Sequence, residues 1–269
     1  MSGSLGTFNY FFWHAWDWDL SKIIGCAFLI VLYTVWTRLK PLRTSILYLS
    51  GVALLFLSLS SPLDALSDEY LFSAHMLQHF IMLMIVPVLL ILGLPEERLR
   101  ALLRVKWVAK AEHLLNRPTA AWITANLVLW VWHIPALYDW AVRNEGIHIF
   151  QHLTFLISAT IFWWPVLAPT QESRMPATDG MIYLFLAGLS NMVLGILLTF
   201  STEPVYEPYV SPEDSWKLLG QLRSQFNLDP LADQKLGGIL MWVLGSVVFL
   251  AVIMLHLKRW YGEAEMEET

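Results

Sequence analysis

The 269-residue chain has one cysteine, Cys26, and it lies inside a hydrophobic run. A disulfide framework and a C-x-x-C metal or redox motif are therefore excluded. Charge is scarce as well. Asp, Glu, Lys and Arg make up 14% of the residues and hydrophobic types 57%, whereas soluble domains are roughly a quarter charged. Lipid is the expected solvent. The net charge is −5 and no long basic block is present, so no nucleic-acid partner is expected. The opening MSGSLGTFNYFFWHAWDWDL contains no Lys or Arg. A cleaved signal needs a positive n-region, so no signal peptide is expected and the first span targets the chain. H-E-x-x-H and any nucleophile constellation are missing too, so the chain is not expected to be an enzyme.

Long apolar runs are what the sequence does contain. A helix needs about 20 mostly apolar residues to cross the hydrocarbon core. Seven stretches qualify: 20–36, 45–59, 71–92, 120–134, 147–167, 181–200 and 237–257. The second and fourth are short. Helices are the expected spanning form because lipid cannot satisfy free backbone groups. The reading is an all-α, polytopic membrane bundle of about seven transmembrane helices, one membrane domain over residues 1–269. Lys and Arg orient it. Twelve fall in the odd-numbered connections and the C-terminus: Arg38, Lys40, Arg43, Arg98, Arg100, Arg104, Lys106, Lys110, Arg117, Arg174, Lys258 and Arg259. Five fall on the other side: Lys22, Arg143, Lys217, Arg223 and Lys235. The expected topology is N-terminus out and C-terminus in, in a bacterial cell membrane. An acidic loop at 201–236, with Glu203, Glu207, Glu213, Asp214, Asp229 and Asp233, then faces outward. The basic segment 96–117 reads as an amphipathic helix on the inner leaflet, with Leu99, Leu102, Leu103, Trp107 and Leu114 on one face.

Histidine played no part in that orientation, yet five of the eight fall near the outer boundary. His75 and His79 open the third span, His133 ends the fourth, and His148 and His152 open the fifth. Each pair is spaced i, i+4, which stacks the residues roughly 5–6 Å apart on one helix face. Imidazole suits copper, zinc, iron and nickel, and the lack of a second cysteine removes thiolate sites. Spacing alone admits one site or two. Met76, Met192 and Met241 reach a similar depth as packing residues whose thioethers would favour Cu(I). His14, His113 and His256 read as structural. Asp64, Asp139 and Asp233 sit at outer span ends, where a carboxylate can take the second N–H of a bound imidazole. Gln78 lies between the paired histidines, and Asn126 and Asn191 read as interhelical hydrogen-bond glue. Pro87 should loosen the third span. Trp13, Trp16, Trp18, Trp132, Trp140 and Trp216 suit an interfacial belt.

Four stretches carry a family likeness. HMLQHFIMLMIVPVLLILGLP (75–95), VWHIPALYDWAV (131–142), HIFQHLTFLISATIFWWPVL (148–167) and DQKLGGILMW (233–242) together resemble the multi-spanning CtaG-type cytochrome c oxidase assembly factors. The resemblance implies a role in assembling a haem–copper oxidase, with an oxidase subunit as partner. It also implies copper held by His75, His79, His133, His148 and His152. Zinc in place of copper, a bis-histidine membrane haem and a metal or proton transporter are the competing readings. Haem needs axial ligands on facing helices. Transport needs a polar route near the midplane.

Overall fold

The computed structural model describes residues 2–267. Among the described residues the chain is helical and contains no β-strand. It runs α1 (Ser2–His14), α2 (Leu20–Thr37), α3 (Leu42–Ser60), α4 (Pro62–Ala65), α5 (Phe72–Phe80), α6 (Val86–Leu92), α7 (Glu96–Leu102) and α8 (Lys106–Leu115). The second half comprises α9 (Pro118–Trp132), α10 (Pro135–Val142), α11 (Glu145–Leu167), α12 (Ala177–Thr199), α13 (Glu207–Val210), α14 (Leu219–Gln225), α15 (Pro230–Ile239) and α16 (Gly245–Glu267). Three π-helical turns, Leu66–Tyr70, Ile81–Ile85 and Leu240–Leu244, join α4 towards α5, α5 to α6, and α15 to α16.

Six helical segments among the described residues are long and apolar enough to cross a membrane: Leu20–Thr37, Leu42–Ser60, Phe72–Leu92, Glu145–Leu167, Ala177–Thr199 and Pro230–Gly262. The chain is a multi-pass membrane protein. The fourth expected span is a broken one. Its halves Pro118–Trp132 and Pro135–Val142 meet at 76°, and counting the pair as one span gives seven. The break follows from Pro135, which disfavours the α conformation at Ile134 before it; Ile134 is extended, at φ −64° and ψ 123°. The last span starts earlier than hydropathy alone indicates, at Pro230, because Asp229 caps it by accepting from the Leu231 and Ala232 amides at 3.0 and 2.9 Å.

The basic segment 96–117 is not one amphipathic helix. A turn at residues 103–105 resets the helical phase between α7 and α8. Leu99 is buried, while Trp107 and Leu114 are exposed. Leu99, Leu102 and Leu103 line an apolar groove of about 610 Å³ together with Val108, Leu115 and residues of α2 and α11. The tryptophans of the expected belt differ in exposure. Trp13, Trp18 and Trp140 are exposed, but Trp132 is buried and its indole donates to Thr154 Oγ1 at 2.9 Å. Trp216 packs edge-on to Phe11 of α1 at 5.5 Å.

Two devices hold the third span. Pro87 has no N–H for the Leu83 carbonyl four residues earlier, and the Trp163 indole of α11 donates to that carbonyl instead, at 2.9 Å. At the other end, Asp233 of α15 accepts from the Phe72 amide at 2.6 Å, the Ser73 amide at 3.2 Å and the Ser73 hydroxyl. The free N–H groups of a helix start are thereby satisfied by a carboxylate from a distant helix. Helices α12 and α15 approach closely through Gly195 and Gly238. A Cβ on Gly195 would lie 2.9 Å from the Gly238 carbonyl oxygen and 2.8 Å from Trp242 Cβ, as small residues permit in membrane helix pairs.

Gly195→Leu should lower the thermal midpoint in detergent by an amount equivalent to about 2 kcal/mol or more through overpacking. Gly25→Leu, where a Cβ meets nothing within 4 Å, should leave it near wild type. Asp233→Ala strands two buried amides and should cost about 2 kcal/mol or more. A melting curve unchanged from wild type would show that the cap does not hold α5.

Candidate metal centre

Helix α5 places His75 and His79 on successive turns, with ring centroids 4.2 Å apart. Helix α11 places His148 and His152 likewise, 4.1 Å apart. The two pairs face each other: His75 lies 5.3 Å from His148 and 6.0 Å from His152, and His79 lies 5.3 Å from His152. His75, His79, His133 and His152 are buried, and the His148 side chain is 11% exposed. His75, His148 and His152 each offer a ring nitrogen, and these three atoms lie within 4.8 Å of one another. His133 stands apart, 6.4 Å from the Phe155 ring that packs 4.7 Å from His79.

The local backbone sets which nitrogen is free. Asp233 occupies the Phe72 amide, which leaves the Ser67 carbonyl in the preceding π turn without a helical donor. His75 Nδ1 donates to it at 3.3 Å. A proton on Nδ1 leaves the Nε2 lone pair open, and His75 Nε2 is buried without a hydrogen-bond partner. The same logic holds at His133. The chain tightens at the end of α9, so the His133 amide bonds to the Trp130 carbonyl at 3.2 Å. The Leu129 carbonyl is thereby freed and takes His133 Nδ1 at 2.7 Å. His148 Nδ1 faces Asp68 Oδ2 at 3.5 Å. Nε2 of His148, His152 and His133 is likewise buried and unpaired. Holding Nδ1 and leaving Nε2 open is the arrangement of a metal-ligating imidazole. Unpaired buried polar atoms are otherwise expensive.

Of the three candidate supporting carboxylates, none touches a histidine directly. Asp64 accepts from Lys22 Nζ and from Gln78 Nε2, both at 2.6 Å, and Gln78 also donates to the Ser58 carbonyl at 2.8 Å. Asp64 thus steadies the turn between His75 and His79. Asp233 acts through the α5 start. Asp139 in α10 faces Arg143 and the backbone of Glu207. The carboxylate beside a histidine is Asp68, which sequence reading missed. It lies in the π turn Leu66–Tyr70, separated from α5 by the extended Leu71, so no helical spacing to His75 marks it. Burial pushes the Asp64 carboxyl above the ordinary carboxylate range. The neighbouring Asp68 charge adds to the shift at Asp64, and Lys22 opposes it.

The segment 201–236 contributes more than acidic surface. Tyr209 donates to the Ser67 carbonyl at 3.0 Å, so the 2.9 Å contact between the Tyr138 and Tyr209 hydroxyls has Tyr138 as donor. Tyr206 donates to the His133 carbonyl at 3.1 Å and stacks on Phe72 at 4.9 Å. Gln234 holds this segment by accepting from the Val205 amide at 2.6 Å. Gln151 repeats the position of Gln78, as H-x-x-Q-H in both helices, and both ends of its amide are buried without a partner. His14, by contrast, stacks on Tyr10 at 4.0 Å. His113 is exposed, and His256 packs against Gly180. Met76 and Met241 line one small cavity with His79 and His133; Met192 is not part of that wall.

Three comparisons place the chain. Uncharacterized proteins of Mycobacterium bovis and Mycobacterium tuberculosis are each 27% identical over 237 residues, which is 82% of this chain and 34% of the relative. One of Mycobacterium leprae is 26% identical over the same length. The chain therefore spans about a third of the length of these curated relatives. No solved structure matches it. The family model described as cytochrome c oxidase caa3 assembly factor matches residues 26–263, a stretch that contains all five clustered histidines. The chain belongs to the cytochrome c oxidase caa3 assembly factor family.

Proposed function

We propose that this protein carries copper for a haem–copper cytochrome c oxidase. In this reading it binds the ion through His75, His148 and His152 on the outer side of a bacterial cell membrane and releases it to an oxidase subunit. Copper is cargo here, and no catalytic step is assigned. The observation that carries the reading is the convergence of three imidazoles, buried His75 and His152 and the partly exposed His148, whose ligand atoms lie within 4.8 Å of one another and whose Nε2 atoms lack a hydrogen-bond partner. Three nitrogens with a further position open suit ligand exchange, as a closed four-ligand cage does not. The Lys and Arg bias supports the outward side, since α5 and α11 begin, and α9 ends, at the end opposite the basic connections. The dry surroundings strengthen the imidazole–ion interaction. Haem is disfavoured by size. The rings of the two pairs stand 5.3–6.0 Å apart, and the adjoining cavity holds about 30 Å³.

Detergent-purified protein titrated with Cu(II) should give an electron paramagnetic resonance signal with nitrogen hyperfine structure at about one ion per chain. His75→Ala/His148→Ala/His152→Ala should abolish that signal while inserting normally, and in cells lacking the wild-type copy it should fail to restore oxidase activity. Undiminished Cu(II) binding by this variant would refute the site. Asp68→Asn should weaken Cu(II) binding about 10–100-fold, because it removes the carboxylate facing His148 Nδ1. Equal affinity in a competition titration would show that Asp68 serves only the π turn, where it accepts from the Ser67 hydroxyl at 2.9 Å.

A further inference from the structure

We infer that His79 and His133, with the thioethers of Met76, Met84 and Met241, form a second metal site selective for Cu(I). These five side chains and Asn191 surround a cavity of about 30 Å³, somewhat larger than the space one water needs. Both ring nitrogens of His79 are buried without a partner, and so is Nε2 of His133. Leaving such atoms bare is costly, and an ion bound in the cavity would relieve that cost for one His79 nitrogen and for His133 Nε2. Thioethers are soft ligands that favour Cu(I) over Cu(II) and zinc. Imidazole adds the stronger donor.

Two π turns border this cavity. The π turn Ile81–Ile85 begins immediately after α5, and Met241 lies in the π turn Leu240–Leu244. Single π turns inside helices often mark functional sites. Asn191 of α12 is not free to ligate through its amide nitrogen, which donates to the Met241 carbonyl at 2.8 Å. It fits there because Gly245 has no side chain; a Cβ would meet Asn191 Nδ2 at 2.5 Å. Asn191 is a positioning residue that holds the Met241 backbone towards the cavity. His79 also joins this site to the first one, with its ring 4.2 Å from His75 and 5.3 Å from His152. Movement of Cu(I) between the sites requires only ligand exchange. One imidazole bond forms as another breaks, and the ion keeps its charge.

The inference rests on the proposed copper reading for the source of its ion, but its test does not use the triad. The full-length protein would be loaded anaerobically from a Cu(I)–bicinchoninate buffer and examined by copper X-ray absorption. Wild type should take up about two Cu(I) per chain with a sulfur shell at roughly 2.3 Å alongside nitrogen. Met76→Leu/Met84→Leu/Met241→Leu keeps the core volume. It should lose the sulfur shell and about one equivalent of Cu(I), with Cu(II) binding at the triad unchanged. The triad variant should keep the sulfur-containing site. A wild-type spectrum with nitrogen alone, or the same Cu(I) uptake by the methionine variant, would overturn the second site and leave a buried water as the cavity's occupant. Failure of Cu(II) binding with sulfur-ligated Cu(I) retained would instead overturn the triad.

Discussion

The arrangement of the histidines depends on how helix ends satisfy their backbone groups inside an apolar bundle. With no water to accept from a bare N–H or donate to a bare C=O, every helix start and finish needs an internal partner. Asp233 supplies one for α5. Its effect passes along the backbone, because the amide it occupies would otherwise bond to the preceding π turn. The Ser67 carbonyl is then left for His75 Nδ1 and Tyr209. One carboxylate on the last span thus fixes the tautomer of an imidazole on the third. The break before Pro135 does the same for His133 by freeing the Leu129 carbonyl. At both places a departure from regular helix creates the acceptor that turns a ring nitrogen towards the centre.

Charge is kept at the margin of this arrangement. Lys22 bridges Asp17 and Asp64 at 2.6 Å each, and Asp64 passes the restraint to Gln78. An exposed ion pair contributes little, but here the Asp64 side chain is only 8% exposed, so its two donors are what make its burial tolerable. Apart from His148, which faces Asp68 at the rim, the histidines meet carbonyls, aromatic rings and one another. A neutral imidazole is the form that such surroundings favour, and it is also the form that ligates a metal.

Much of this was legible in the sequence, and the remainder was hidden for physical reasons. Hydropathy located the long helices because the solvent demand is severe and repeats over about 20 residues. The i, i+4 histidine pairs were visible because helical spacing alone brings them together. Asp68 was not visible, since its approach to His148 depends on a π turn and on the packing of α5 against α11, neither of which leaves a spacing signature. Asp233 looked like a metal-side carboxylate because it lies at a span end, but the span begins a turn before it, which turns its side chain to the α5 amides. Tyr206 and Tyr209 were obscured by the acidic residues around them; net charge describes the surface of such a segment and says nothing of the aromatic face it buries. The helix expected over 96–117 failed because periodicity was summed across a turn that shifts its phase.

Burial also orders the site from one side to the other. Asp68 is the most open group, its side chain 38% exposed, and His148 follows at 11%. His152 is 8% exposed, His79 3% and His75 fully buried. A cargo ion coming from the Asp68 side would therefore meet a carboxylate first and His148 second, and it would lose its remaining water only on reaching His75 and His152. That sequence suits the energetics of an ion that must later leave. A hydrated ion is stripped in steps, each lost water replaced by a nitrogen or oxygen before the next is lost, so no single step bears the full cost of desolvation. On the proposed reading, release would retrace the same steps. The rim residue His148 would then be the ligand exchanged first, where an incoming donor from another protein could reach it, and the buried His75 and His152 would not need to move.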